Sequence, residues 1–187
     1  MKERALPVFL VVLISFSATA QSDSSFSKSS WFLSIHSGAL LGNKGNGSSL
    51  SATVIQGVRY DRFSLGVGLG YDAYNEWRTL PVFVGLGYEF IKRGERSFFF
   101  QINTGYSKAW NPSSPLEQFF YSSEDGFFYH PFLGYSLKQE KITLYVTAGY
   151  KFQRLNYRRT SQWWGAAPVA KVEQDIERLS VQIGIGI

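Results

Sequence analysis

The sequence predicts an all-β protein with antiparallel strands, and three observations lead to this fold class. Apolar side chains alternate with small or polar ones, most clearly over 63–73, where Phe63, Leu65, Val67 and Leu69 share one face. Such segments run for about ten residues or more, against roughly 5–6 in soluble strands. Aromatic residues make up 17% of the chain, which also contains 18 glycines and six prolines. This composition favours strands over helices.

The alternation predicts eight strands. A tilted strand needs about 9–11 residues to cross the hydrocarbon of a bilayer, and each predicted segment is long enough. The segments lie at residues 31–42, 50–60, 63–73, 79–90, 97–109, 127–138, 142–154 and 175–187.

The connections between these segments alternate in length. Short links are expected at 61–62, 92–96 and 139–141, and longer ones at 42–49, 111–126 and 155–174, with 75–78 as a short exception. Short turns on one side and longer loops on the other are typical of barrels in the outer membrane, where the turns face the periplasm. We therefore expect an eight-stranded antiparallel up-and-down transmembrane β-barrel with both termini on the periplasmic side.

The N-terminal twenty residues have the features of a secretion signal. Lys2 and Arg4 precede an apolar run from Ala5 to Phe16, and small residues follow up to Ala20. The run is too short to cross about 30 Å of hydrocarbon as a helix. We expect cleavage after Ala20, which divides the chain into a signal peptide (1–20), a short lead (21–29) and the barrel domain (30–187).

Charge and cysteine content exclude several classes of function. The net charge is +5 and the basic residues are scattered, so no nucleic-acid partner is expected. The chain has no cysteine, which excludes disulfides, thiolate metal sites and a lipid-modified N-terminal cysteine. Motifs for serine hydrolases, zinc proteases, nucleotide phosphates and calcium loops are also lacking. No cofactor, metal or catalytic residue is expected.

A Gly-Tyr pair recurs late in five segments, with the tyrosine on the apolar face each time. Because successive strands run in opposite directions, these tyrosines would lie alternately at the two membrane boundaries and form aromatic girdles. A Tyr- and Gly-rich composition is the alternative explanation of the pairs. The girdle residues are Tyr71, Tyr88, Tyr106, Tyr135 and Tyr150.

The polar face is expected to line a lumen filled by side chains. An eight-stranded barrel is only wide enough for its own side chains, and glycines such as Gly85 and Gly184 would leave room for long polar neighbours. A soluble lipocalin-type barrel, built inside out, is the structural alternative; the nearly continuous apolar face bordered by aromatics favours the membrane. We expect one lumen hydrogen-bond network of His36, Arg59, Glu89, His130, Lys151 and Arg178.

Aromatic and basic residues in the long connections are candidates for recognition. They could bind a surface partner, a glycan or the anionic sugars of lipopolysaccharide. Alternatively, they pack over the rim of the barrel or extend the hairpins beyond the membrane. The residues are Phe119, Phe120, Arg158, Arg159, Trp163 and Trp164.

A lipid A-modifying enzyme is the alternative from another class of function. It would need a serine nucleophile activated by a histidine and an acid, facing the lipid of the outer leaflet. His130 is instead expected to face inward, and no serine stands beside it in His130-Pro131-Phe132. A non-enzymatic barrel is therefore the preferred interpretation.

Several stretches resemble a known family. Residues 80–90 (LPVFVGLGYEF), 126–138 (GFFYHPFLGYSLK), 142–155 (ITLYVTAGYKFQRL) and 177–187 (ERLSVQIGIGI) resemble strands of the small outer-membrane β-barrel proteins of Bacteroidetes-type bacteria. The resemblance implies an eight-stranded barrel similar to the transmembrane domains of OmpA and OmpX. It also implies a monomer that contacts outer-membrane lipid and lipopolysaccharide and is inserted by the barrel-assembly machinery. Such chains normally end in an aromatic residue, and here Ile187 stands at that place.

Overall fold

The computed structural model describes residues 29–42, 47–75, 77–111, 119–161 and 170–187. The expected signal peptide, residues 21–28 of the expected lead, and Trp163 and Trp164 lie outside these ranges. No helix in the described part of the chain is long and apolar enough to span a membrane.

Nine β-strands follow one another along the described chain. Three connections are two-residue turns at 61–62, 94–95 and 140–141, and the first residue of each has a positive φ: Asp61, Gly94 and Glu140. The strands are β1 (Ser29–Leu41), β2 (Ser48–Tyr60), β3 (Phe63–Ala73), β4 (Arg78–Arg93), β5 (Arg96–Trp110), β6 (Phe119–Glu124), β7 (Gly126–Gln139), β8 (Ile142–Ser161) and β9 (Ala170–Gly186).

The strands close into one antiparallel barrel. The strands β1 to β5 pair consecutively, β5 pairs with β7, and β7 pairs with β8. β9 pairs with both β8 and β1, which closes the ring. The short β6 pairs with β8 in line with β7, and the register against β8 shifts by one residue around Asp125. β6 and β7 therefore occupy one strand position of the barrel, interrupted around Asp125. The nine strands thus fill eight positions, and the predicted eight-stranded barrel is confirmed.

The barrel has two distinct ends. The turn end carries the three two-residue turns together with Ser29 and Ile187, and Ile187 N–H donates to Leu33 O at 2.9 Å. The loop end carries the longer connections. There β8 continues to Ser161 and β9 begins at Ala170, so much of the expected 155–174 loop is strand; the expected 111–126 loop likewise contains β6. The parts of β6, β8 and β9 that extend beyond the predicted segments show no apolar alternation. They are recognised as strands only by their backbone pairing.

The apolar face of the strands points outward. Val67 and Ile183 are 55% and 69% exposed, and their immediate neighbours Gly68 and Gln182 are buried in the lumen. A soluble lipocalin-type barrel has its apolar face inside, so that alternative is inconsistent with this arrangement.

Side chains fill much of the lumen, and they are less polar than the alternation predicted. Three apolar clusters occupy it: Ile55, Phe83 and Phe128 with Phe32; Phe99, Phe132 and Tyr145; and a cap at the loop end of Leu40, Tyr74, Trp77, Ala109, Leu155 and Ile176. The lumen, which was expected to be polar, therefore contains both polar groups and apolar clusters.

Inward-facing glycines make room for these rings. A Cβ at Gly134 would lie 2.2 Å from the Phe99 ring, and one at Gly68 would lie 2.4 Å from Phe83. Gly184 and Gly85 do face polar groups, those of His36 and Asn103. The predicted role of glycine as space for polar neighbours thus describes only some positions.

Candidate functional site: the two halves of the lumen

A buried ion pair lies in the loop-end half of the lumen. Lys151 Nζ on β8 donates to Asp72 Oδ1 on β3 at 2.6 Å, and their side chains are 1% and 0% exposed. Ser51 Oγ donates to the same carboxylate at 2.6 Å, and the ammonium lies 5.3 Å from the centre of the Phe128 ring. Each charge therefore has a partner at short range, which a buried charge requires.

Neutral hydrogen bonds surround this pair. Thr79 Oγ1 donates to Gln153 Oε1 at 3.2 Å, and Gln153 Nε2 donates to Ser107 Oγ at 2.9 Å. Gln182 Nε2 donates to Ser51 Oγ at 3.1 Å. With the apolar cap above it, this half of the lumen is closed by packed side chains.

Both histidines lie inside the barrel against serines. His36 Nε2 is 3.1 Å from Ser34 Oγ, and His130 Nε2 is 2.8 Å from Ser180 Oγ. Sequence reasoning missed Ser180 because it lies on a distant strand. Both pairs are buried, so neither presents a nucleophile to outer-leaflet lipid.

The turn-end half of the lumen is open. A cavity of about 390 Å³, the turn-end cavity, enters between the short turns. Arg59 Nε lies 3.5 Å from Glu89 Oε1, and Lys92 Nζ lies 3.7 Å from Glu89 Oε2. These ion pairs are looser than the Lys151–Asp72 pair, and the guanidinium of Arg59 lies 5.6 Å from the centre of the Phe32 ring.

The six residues of the expected lumen network all face inward, but they form separate groups. Arg59 and Glu89 pair at the turn end, whereas Lys151 pairs with Asp72, which the expected network did not include. Arg178 lies at the loop end, 5.8 Å from the centre of the Tyr74 ring, and donates to the Glu177 carbonyl. A single network was therefore the wrong expectation, because alternation identifies a residue's face and not its neighbours across the lumen.

The five girdle tyrosines lie on the outer face. Tyr88 and Tyr135 are near the turn end, where their rings pack against Phe63 and Phe98 at 4.9 and 5.1 Å. Tyr71, Tyr106 and Tyr150 lie toward the loop end.

The candidate recognition residues have a different backbone setting from the one expected. Phe119 and Phe120 belong to β6, and Arg158 and Arg159 belong to β8, so they are on paired strands. These four residues therefore belong to extended hairpins, the alternative to loop placement, whereas Trp163 and Trp164 lie outside the described residues.

An exposed ion pair joins β8 and β9 beyond the loop-end tyrosines. Arg154 donates two hydrogen bonds to the Asp175 carboxylate, at 2.8 and 3.0 Å. The hydrogen bonds from Arg154 lower the pKa of Asp175.

No group of three or more potential metal ligands comes together within the described ranges. The features that bear on function are the filled loop-end half of the lumen, the open turn-end cavity and the apolar outer wall.

A closed eight-stranded barrel with an apolar outer wall and a filled lumen has the fold of the small outer-membrane β-barrels. Neisserial surface protein A superposes with a TM-score of 0.61 at 12% identity, over 86% of this chain and 99% of that one. The outer membrane protein OprG from Pseudomonas aeruginosa superposes with a TM-score of 0.59 at 13% identity, over 86% and 96%. At these identities the similarity shows the fold alone. No protein-family model and no curated protein sequence matches the chain.

Proposed function

We propose that this protein is an integral outer-membrane β-barrel, exported by its N-terminal signal peptide, with a structural or surface-interaction role at its loop end. The observation that carries the proposal is the continuous apolar outer wall of a closed barrel. Such a wall is costly in water, where large exposed apolar patches are rare, and favourable against hydrocarbon.

The dimensions of the wall support a membrane setting. Phe63 and Tyr71 delimit the apolar stretch on β3, a rise of about 20 Å for a strand tilted by about 40°. Aromatic pairs stand at both limits, Phe63 with Tyr88 and Tyr71 with Trp110. The polar atoms of the tyrosines and the tryptophan suit a membrane interface. The closed ring leaves no strand edge in the lipid, as a spanning sheet requires.

The lumen favours a role other than free conduction. The loop-end half contains an ion pair, a hydrogen-bonded group and an apolar cap, so a solute entering at the turn end meets packed side chains. Because the lumen does not provide an open path, we assign interaction with the exterior to the loop-end extensions of β6, β8 and β9. The proposal includes lipopolysaccharide among the partners of this surface, a monomeric state, and insertion by the barrel-assembly machinery.

Fractionation and gel mobility test the proposal. The expressed protein should sediment with outer membranes, require detergent for extraction, begin at Gln21, and change its electrophoretic mobility when boiled. A soluble protein with the same mobility before and after boiling would contradict the barrel in the membrane.

The surface role has its own test. Replacing Trp163 and Trp164 by alanine should weaken binding to lipopolysaccharide-coated or cell surfaces without altering the boiling-dependent mobility. A matched control replaces Tyr88, at the opposite end, by alanine. Equal binding by all three proteins would contradict recognition through this segment.

A further inference from the structure

The turn-end cavity contains hydrogen-bonding groups that its own walls do not satisfy. Glu89 is buried and its Oε2 has no hydrogen-bond partner, nor does Nε of Arg59 beside it. Their ion-pair distances, 3.5 and 3.7 Å, are longer than those of a charge-assisted hydrogen bond. An unsatisfied buried acceptor and donor cost free energy that a complementary ligand would recover.

Backbone features position Glu89 in this cavity. The pairing of β4 with β5 shifts between Glu89 and Ile91, a bulge at Phe90. The Glu89 N–H donates to the Arg62 carbonyl of the adjacent turn at 2.8 Å. Lys138 N–H likewise donates to the Glu95 carbonyl at 2.7 Å, which ties two turns together at the mouth. Bulges of this kind re-aim side chains and are common next to functional sites.

The charges of the cavity are mixed. Lys92, Arg96 and Lys138 line it together with Asp61 and Glu95, and Arg59 and Glu89 also belong to its wall. A second, smaller cleft of about 20 Å³ shares Arg59 and Glu89 with this cavity and is also lined by Phe32, Phe99 and Tyr145. The volume of about 390 Å³ falls within the roughly 300–1,000 Å³ of small-molecule sites.

We propose that the turn-end cavity binds a small zwitterionic ligand, an α-amino acid or short peptide. The ligand's ammonium group donates to Glu89, and its carboxylate accepts from Arg59 and the lysines nearer the mouth. A plain anion would leave Glu89 unsatisfied, and a plain cation would leave Arg59 unsatisfied. The inference rests on the proposed function, because an outer-membrane setting opens this cavity to the periplasm. In the periplasm, ammonium and carboxylate groups occur together on free peptides and on the stem peptides of the cell wall.

Calorimetric titration of the mature protein, folded in detergent, tests the ligand chemistry. The probe is alanyl-alanine, with N-acetyl-alanyl-alanine lacking the ammonium and alanyl-alanine amide lacking the carboxylate. We expect the dipeptide to bind and each analogue to bind weaker by roughly tenfold or more, since each loses a charge-assisted hydrogen bond. Equal binding of an analogue, or no binding of the dipeptide at millimolar concentration, would overturn the proposal.

Two variants assign the roles. Glu89→Gln should abolish the preference for the free ammonium, and Arg59→Gln should abolish the preference for the free carboxylate. Glu173→Gln at the loop end is the matched control and should bind like the natural sequence. Unchanged selectivity in both cavity variants, with the boiling-dependent mobility retained, would contradict the assignment.

A second arm identifies the source of the ligand. Retention of the protein on purified cell-wall sacculi, displaced by alanyl-alanine, would indicate stem peptides. Binding of free dipeptide without retention would indicate soluble peptides. A protein that fractionates with outer membranes yet binds no dipeptide overturns this inference and leaves the proposed function standing.

Discussion

Both halves of the lumen contain an ion pair between strands, but the two pairs differ in distance and in exposure. Each has a lysine or arginine facing a carboxylate on another strand, at 2.6 Å for Lys151–Asp72 and 3.5 Å for Arg59–Glu89. The first pair is fully enclosed, whereas the side chains of the second are 29% and 10% exposed beside a cavity. Close enclosure indicates a structural role for the loop-end pair. Loose pairing beside open space is the arrangement from which we infer a ligand site at the turn end.

The largest expected difference between the halves comes from removing one carboxylate. Asp72→Asn leaves Lys151 charged and buried with a weaker partner, and should lower the free energy of unfolding by about 3–5 kcal/mol. Glu89→Gln should cost less, because the ion pairs of Glu89 are longer, at 3.5 and 3.7 Å, and its partners Arg59 and Lys92 are 29% and 54% exposed. Urea unfolding in lipid vesicles measures both.

A double variant sharpens this comparison. Replacing Asp72 by leucine and Lys151 by methionine together removes both charges and should recover most of the loss. Equal costs for Asp72→Asn and Glu89→Gln would show that the two halves do not differ as described.

Charges on the outer wall should also be costly where both halves are enclosed by lipid. Val67 lies midway between Phe63 and Tyr71 on β3. Val67→Arg should destabilise the folded barrel by about 2–4 kcal/mol, and Phe63→Arg at the boundary by about 0–1 kcal/mol. Refolding yields and unfolding midpoints in vesicles report the difference. A larger cost at Phe63 than at Val67 would mean that the wall does not span hydrocarbon.

The small cleft beside the turn-end cavity has an aromatic floor of Phe32, Phe99 and Tyr145, which offers a third comparison. A methyl group at Gly134 would overlap the Phe99 ring, so Gly134→Ala should cost about 1–3 kcal/mol through overpacking. Adding Phe99→Leu should relieve part of that cost, which a double-mutant cycle measures. Strict additivity of the two substitutions would show that this contact does not shape the floor.

Sequence reasoning predicted the barrel because a strand with an apolar outer face and a polar or small inner face alternates along its length. The polar ends of β8 and β9, around Arg158 and Lys171, were missed because both faces there are outside the apolar belt and no alternation marks them.

The lumen was harder to predict for a related reason. Alternation placed Lys151 and Asp72 on one face, but 79 positions separate them in sequence and only closure of the ring brings them together. The shape of the turn-end cavity depends on where a β-bulge places the Glu89 side chain. No residue pattern around Glu89 predicts this bulge.

The smallest expected effect is at the exposed Arg154–Asp175 pair. The folded-state pKa of Asp175 is lowered by Arg154, so any stabilisation is present above the unfolded-state pKa and is lost as the pH falls through the folded one. Arg154→Gln should raise the pKa of Asp175 toward its usual value, with little change in stability at neutral pH. An NMR titration of the Asp175 carboxylate measures the shift, and an unchanged pKa would contradict the assigned cause.

Cysteine labelling tests the central claim most directly, because the chain contains no cysteine of its own. Single variants Glu173→Cys, Val67→Cys and Glu95→Cys place a thiol at the loop end, on the outer wall and at the turn end. On intact cells, a membrane-impermeant maleimide should label only Glu173→Cys. Glu95→Cys should react after the outer membrane is opened, and Val67→Cys only after the barrel is unfolded. Labelling of Val67→Cys in the folded protein, or of Glu95→Cys on intact cells, would contradict a barrel that spans the outer membrane in this orientation.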